Sequence, residues 1–304
     1  MLTTFDRASV HAPTSVSRLR LRSAALACMA ALALAGCGGG DDTTQTDTSA
    51  TTNTTTNTTT DTGAEASVER AGPSGHWIID QDYNGFRLIY DCTDRTALHY
   101  RYTLQADTGS AARPSTFTFD PTLPAGCLQQ TSTASYESVH PGYDRGHLVM
   151  SNHMDSDSAL IRRANYMSNI VPQVSGFNRG IWLEAETVAE CYRDLAPVQV
   201  YGGVVHGDTA SDTNDFYLSS HGIRTPEFLW KALITTDPAT GAGKAIAWLI
   251  PNTTGLGALD RYIVSIAELE QRLGVASVRI SASAALKAMK PQTTWALPSG
   301  CSID

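Results

Sequence analysis

Positive charge is scarce in this chain: 22 Lys and Arg stand against 30 Asp and Glu over 304 residues, a formal charge of −8 at pH 7. Residues 1–36 hold four Arg and one Asp, so everything from Cys37 onward carries −11. That sign excludes a protein that grips polyanions through a generally basic surface, and any phosphate site must rest on a local cluster of arginines. Long apolar runs are also missing, since Ala24–Ala35 is too short to span a bilayer. No internal repeat is present, which removes the solenoid and array architectures. Gly241-Ala242-Gly243-Lys244 is not a phosphate loop, because Pro238 stands where its first Gly belongs and Ala245 where Ser or Thr is needed, so the segment reads as a turn. Ser219-Ser220-His221 lacks the Gly-x-Ser-x-Gly elbow of a serine hydrolase.

The N-terminal region has its own logic. Arg18, Arg20 and Arg22 precede the apolar run, as in a signal peptide, and the run ends Leu34-Ala35-Gly36-Cys37-Gly38-Gly39-Gly40. This end resembles the lipobox of bacterial lipoproteins, which implies a leader over 1–36, acylation of Cys37, and anchoring to the cell envelope without spanning it. Gly38 after the cysteine implies the outer membrane. From Asp41 to Ser67 the chain is Thr, Asn, Asp and Ser with almost nothing apolar, so residues 37–72 are expected to be a flexible tether. Residues 73–304 have mixed composition and a length suited to one domain. With Cys28 in the leader and Cys37 acylated, Cys92, Cys127, Cys191 and Cys301 remain, an even number that argues for two disulfides in an exported protein. Three pairings satisfy that count; Cys92 with Cys127 is the preferred one.

Three pieces carry chemistry: Tyr143-Asp144-Arg145-Gly146-His147-Leu148, Asn165 to Gln173, and Phe177 to Glu186. Local patterning predicts strands over His147–Met150 and Met167–Val171, then a helix from Asn178 to Leu195 with Asn178 as its cap. The residue types suit phosphodiester cleavage, which needs a base for water, cations for the charged transition state and a proton for the leaving oxygen. His147 has the ordinary pKa of a base at neutral pH. Arg145, two residues earlier on an extended segment, shares its face and can bind a phosphate oxygen. The Asn178 amide oxygen suits a hard ion such as Mg²⁺. Glu186 follows Asn178 at helical steps of four but about 12 Å along the axis, so it is expected to act through water around the ion.

The three pieces together resemble the signature of the DNA/RNA non-specific endonuclease family, the endonuclease G-like ββα-metal nucleases. The matching elements are Asp-Arg-Gly-His, Asn-Tyr-x-x-Asn-x-x-Pro-Gln, and Asn-x-Gly-x-Trp with Glu two turns on. The resemblance implies an α+β fold, a central, mostly antiparallel sheet flanked by helices with the ββα element on one face. It implies a sugar-non-specific endonuclease that cleaves DNA and RNA to 5′-phosphate ends with one Mg²⁺, Mn²⁺ being an acceptable substitute. By position, His147 is similar to the general base, Asn178 to the direct metal ligand, Glu186 to the acid that holds water on the ion, and Arg145 to the arginine that offsets transition-state charge. Asp144 and Asn169 fall at supporting positions, and Arg113 at that of a further phosphate contact. Val200–Val204 is similar to the family's next strand, Thr225–Lys231 to the segment behind the site, and Ile250-Pro251-Asn252 with a helix over Ile266–Gly274 to its ending. One departure is Glu190, where some members carry a basic residue; Arg193 is a candidate replacement. His153 reads as structural or a peripheral contact, and Trp182 as helix packing. The reading from another class is a catalytically silent, envelope-anchored protein that binds nucleic acid or serves as a scaffold. Retention of His147, Asn178 and Glu186 together speaks against it.

Overall fold

A computed structural model describes residues 67–68, 75–207 and 215–301. The expected leader, Cys37 and nearly all of the tether lie outside the described residues, and no described helix is long and apolar enough to cross a membrane. Eight antiparallel strands form the main sheet, in the order β1 (Ser67–Val68), β2 (Ile78–Asp82), β3 (Phe86–Asp91), β4 (Thr96–Leu104), β7 (Val198–Val205), β8 (Phe228–Thr236), β9 (Gly243–Pro251) and β10 (Ile263–Val264). A separate antiparallel pair is made by β5 (Tyr143–His147) and β6 (Ile170–Val174). The architecture is α+β. The short β1 pairs with β2 ahead of residue 73, so the sheet starts within the stretch expected to be tether.

Strand β8 explains why the sheet is covered on both faces. Its side chains alternate: Trp230, Ala232 and Ile234 join a rear cluster, while Leu229 and Leu233 join the larger front cluster. The rear is closed by the Ile266–Leu273 helix, whose apolar Ile266 and Leu269 face the sheet. Its start is fixed by a capping box in which the Ser265 hydroxyl accepts from the Glu268 N–H and the Glu268 carboxylate accepts from the Ser265 N–H. The front carries the β5–β6 pair and the helices after it. Buried Asn252, at the end of β9, clamps that pair to the sheet: its oxygen accepts from the Val174 N–H at 2.8 Å and its amide donates to the carbonyls of Pro172 and Pro226. Cys92 is bridged to Cys127 and Cys191 to Cys301. The first closes 35 residues and the second 110, each worth about 3–5 kcal/mol of unfolded-state entropy on the loop-closure view.

Both expected strands move. β5 starts at Tyr143, after Gly142 in the left-handed region (φ 91°), and ends at His147. β6 starts only at Ile170, because Met167–Asn169 is a 3₁₀ turn. The helix expected from Asn178 to Leu195 is interrupted too. Helix α1 is Ser158–Ala164; a helical turn, α2, then covers Ser175–Phe177, a π-type turn covers Asn178–Trp182, and α3 runs only from Leu183 to Arg193. The break falls at Gly180, whose φ −113° and ψ −109° are not helical. Asn178 is therefore inside the junction and not an N-cap, which frees its side chain for other partners.

Candidate active site

The glycine of Asp-Arg-Gly-His has a packing reason. A Cβ on Gly146 would overlap the Gln173 side chain on β6, and Gln173 uses that space to donate to the His147 carbonyl at 3.2 Å. The two strands are thus locked side by side, with Arg145 opposite Pro172 and His147 opposite Ile170. Asn169 is fully buried behind them; its oxygen accepts from the Val149 N–H and its amide donates to the carbonyls of Val149 and Ala164. It supports the backbone after His147 and does not line the cleft.

His147 is only 8 % exposed, and its tautomer is set by a neighbour that sequence analysis gave no role. Asn165 donates its amide hydrogens to the carbonyls of Pro114 (2.9 Å) and Thr116 (3.3 Å), which turns its oxygen toward His147 Nε2 at 2.9 Å. An amide oxygen only accepts, so Nε2 carries the proton and Nδ1 keeps its lone pair. Burial pushes the imidazole pKa down to about 4, the Arg113 and Arg145 charges push the same way, and the Asn165 contact opposes them. Neutral His147 is therefore the form present at pH 7.

Arg145 donates to the Thr133 carbonyl at 2.7 Å and lies over the Phe117 ring, its Cζ 4.1 Å from the centre. Phe117 also packs against the His147 ring, with centroids 5.5 Å apart, so one aromatic side chain sets both. Asp144 organises the opposite wall. Its carboxylate accepts from Asn178 Nδ2 at 2.9 Å, from the Ser175 hydroxyl at 2.9 Å, and from Arg179 through two bonds of 2.6 and 2.8 Å. These donors outweigh partial burial and hold its pKa below the usual value. Because Nδ2 of Asn178 is spent on Asp144, its Oδ1 is the atom left for a cation.

Glu186, on α3, is 6 % exposed; burial raises its pKa, and the nearby charges of Lys231 and Arg113 oppose that. Arg113, Arg145, His147, Asn178, Arg179 and Glu186 all line one cleft of about 220 Å³. Of the seven expected site residues, five therefore converge on the cleft, while Asp144 and Asn169 stand behind them. Arg179, Asn165 and Phe117 were missed: each is an ordinary polar or aromatic residue whose role depends on a partner distant in sequence. An amide oxygen, a carboxylate and the absence of cysteine suit a hard divalent ion.

Other sequence candidates lie elsewhere. Glu190 turns inward, its carboxylate 3.2 Å from buried Arg193 and 3.2 Å from His153 Nε2, and Arg193 also donates to the Gln105 carbonyl. Arg193 therefore supplies no second phosphate clamp. His153 is structural, bonded through Nδ1 to the Tyr102 hydroxyl at 2.7 Å. Trp182 is fully buried and stacked on Phe177. A separate group outside the cleft, His76, Asp91 and Asp94, has ligand atoms within 4.8 Å of one another, and His76 Nδ1 is hydrogen-bonded to Asp91 at 2.6 Å.

The family model for the DNA/RNA non-specific endonucleases matches residues 73–281. The chain belongs to this family. It is 28% identical over 218 residues to a nuclease of Nostoc sp., covering 69% of this chain and 75% of that one. With a nuclease of Serratia marcescens it shares 26% over 197 residues, covering 63% and 72%. With the mitochondrial nuclease EXOG of Danio rerio it shares 27% over 207 residues, covering 64% of this chain and 59% of that one. Among solved structures, EndoG in its complex with EndoGI superposes with a TM-score of 0.53 at 19% identity, covering 64% of this chain and 83% of that one. That likeness establishes the fold, and family membership places the chain among nucleases, which are hydrolases.

Proposed function

We propose that this protein is a sugar-non-specific endonuclease that hydrolyses DNA and RNA with one Mg²⁺ and a histidine base, leaving 5′-phosphate ends. The observation that carries the reading is the fixed tautomer of His147 in the same cleft as the Asn178 oxygen and three arginines. Nδ1 of neutral His147 takes a proton from the attacking water. Its pKa of about 4, depressed first by burial and then by the Arg113 and Arg145 charges, is low for this task in the free protein, and a bound phosphate would offset the arginine part of that shift. Arg145 and Arg113 stabilise charge on the phosphoryl oxygens as it develops. Asp144 aims the Asn178 oxygen, and Glu186 orients water near it. When bound, the divalent ion supplies Lewis-acid stabilisation of the phosphate and of the leaving oxygen. No base-reading groups are required, since contacts to the backbone carry no sequence information.

Plasmid DNA and an unstructured RNA incubated with the purified protein test this. Cleavage of both in Mg²⁺, abolished by chelation and leaving ends that a ligase accepts without a kinase, is the expected result. Intact substrates in both Mg²⁺ and Mn²⁺ would favour the silent nucleic-acid-binding alternative. The reading also places the enzyme at the cell envelope on a lipid anchor at Cys37, supported by Leu34-Ala35-Gly36-Cys37 and the tether after it. Cys37→Ala is expected to release it from the membrane fraction with activity retained; a variant still membrane-bound overturns the anchor.

A further inference from the structure

Behind the cleft, the sheet carries a charge with no route to solvent. Lys231, in the middle of β8, is 0 % exposed. Its Nζ lies 3.2 Å from Glu186 Oε1 and 4.2 Å from the centre of the Trp182 ring. Alternation along β8 sends Lys231 to the front face between Leu229 and Leu233, which are both fully buried. An aliphatic side chain of similar volume would fill that place without removing an ammonium from water, so packing alone does not account for a lysine.

Neighbouring strands are shaped around it. The register sets Gly202 of β7 opposite Lys231 of β8 on one side and opposite Tyr100 of β4 on the other. A Cβ on Gly202 would overlap the Tyr100 hydroxyl, so the glycine keeps a space open between two buried polar side chains. Tyr100, Gly202 and Lys231 form a floor across three strands, and the acid above that floor is Glu186. Trp182, from the turn that also holds Asn178, covers the Lys231 ammonium with its ring, a favourable contact for a desolvated cation. The carboxylate that lines the cleft is therefore held from behind through Oε1.

We propose that Lys231 is a positioning residue for catalysis: it grips Glu186 Oε1 from beneath the cleft, so that Oε2 is presented to the water around the divalent ion. This rests on the reading of the cleft as a metal-dependent nuclease site. Lys231 touches neither substrate nor ion. Its contribution is to fix which oxygen of Glu186 faces the cleft and to keep a negative charge there.

The test is a double-mutant cycle of Lys231→Met and Glu186→Gln, read by Mn²⁺ binding to the metal-free protein (electron paramagnetic resonance), by plasmid cleavage, and by thermal melting. Each single variant is expected to weaken Mn²⁺ binding and slow cleavage at least about tenfold, and the double variant to be no worse than Glu186→Gln alone, because either change already disables the pair. Lys231→Met with a lowered melting temperature but unchanged Mn²⁺ binding overturns the proposal, as does a double variant whose losses multiply. Should Lys231→Met not fold, the double variant removes both buried charges and decides the matter. Mn²⁺ affinity equal to that of Glu186→Gln supports positioning, and affinity well below it sinks the idea. If the unmodified protein neither binds Mn²⁺ nor cleaves, it is the nuclease reading that fails; if it does both and Lys231→Met matches it, only the positioning role fails.

Discussion

The two faces of the main sheet are made from alternate residues of the same strands and are built to different rules. The rear face is mainly apolar: Trp230, Ala232, Ile234, Ala245, Ala247, Ile266 and Leu269 pack there. The front face has an apolar frame but buries Lys231, His153, and Glu186, Glu190 and Arg193 of α3. Burying such groups in pairs is seldom the most stable choice, and hydrophobic replacements of similar volume are often neutral or better. The difference teaches where selection acted on chemistry and where on cohesion. The rear holds the sheet to its helix, while the front accepts electrostatic cost to fix side chains at the cleft.

The largest effect expected from breaking the front face is catalytic and leaves stability aside. His147→Ala removes the proposed proton acceptor, and kcat is expected to fall by about 10²–10⁴ with Mn²⁺ binding retained. Asn178→Ala is expected to weaken metal binding as well as kcat, and higher Mg²⁺ to recover part of the loss. Near-normal turnover by His147→Ala at neutral pH, or an unaltered metal dependence in Asn178→Ala, would falsify these roles.

On the rear face the same size of change acts on stability alone. Leu269 is fully buried against the sheet, so Leu269→Ala is expected to destabilise by about 2–5 kcal/mol in a denaturant titration, with kcat at low temperature unchanged. A loss of kcat in the folded Leu269→Ala protein would show that the two faces are coupled through the sheet.

Much of the candidate site was legible in the sequence, for physical reasons that differ by element. Asp144 to His147 and Asn178 to Glu186 are short segments in which residue type and spacing bring polar groups together locally, and Arg145, His147, Asn178 and Glu186 line one cleft. Arg113 is far away in sequence, yet the structure brings it into the same cleft. The unbroken helix was misjudged because one glycine, Gly180, outweighs an otherwise helical pattern. Asn165 lay inside a quoted motif, but its role depends on two carbonyls about fifty residues earlier, at Pro114 and Thr116, which no local pattern shows. Lys231 was placed behind the site only as part of Thr225–Lys231. Its partner Glu186 is 45 residues away, and β-sheet alternation alone does not say which face meets α3.

Buried histidines on both faces are held neutral, among them His147 and His153 on the front and His99 on the rear. Burial, with nearby arginine charge, lowers His147 on the front to about 4 and His99 on the rear to about 3. The unfolded chain protonates both near pH 6.5, so it binds more protons than the folded state below that pH. Their share of stability is complete above about pH 6.5 and is lost as pH falls toward those folded values, by roughly 1.4 kcal/mol per histidine per pH unit. Denaturant titrations from pH 7 to 5 measure this slope. His153 and His221, also lowered by burial, add to the slope; His99→Gln is expected to make it shallower without altering kcat, and His147→Gln to make it shallower along with a loss of turnover. An unchanged slope in His99→Gln would mean that the rear histidine is protonated in the fold.

The smallest effect expected is in salt dependence, and it tests how local the front face is. The chain from Cys37 onward carries −11, so phosphate contacts must come from the cleft and its rim. Arg113, Arg145 and Arg179 line that cleft, but Arg179 already shares two hydrogen bonds with Asp144 and is partly neutralised by it. Two to three effective contacts predict a slope of log K against log salt of about −2 to −3 for duplex DNA, where a basic binder with six to ten contacts loses far more. Binding of a DNA duplex to His147→Ala at fixed Mg²⁺, from 50 to 200 mM salt, gives the slope without cleavage. Arg113→Ala should make it shallower by close to one unit, and Arg179→Ala by less, because removing that cation also releases the Asp144 charge toward the substrate. Equal effects of the two would mean that Asp144 does not screen Arg179. A slope steeper than about −5 would place a basic groove outside the cleft and end the contrast between a local cationic site and an acidic remainder.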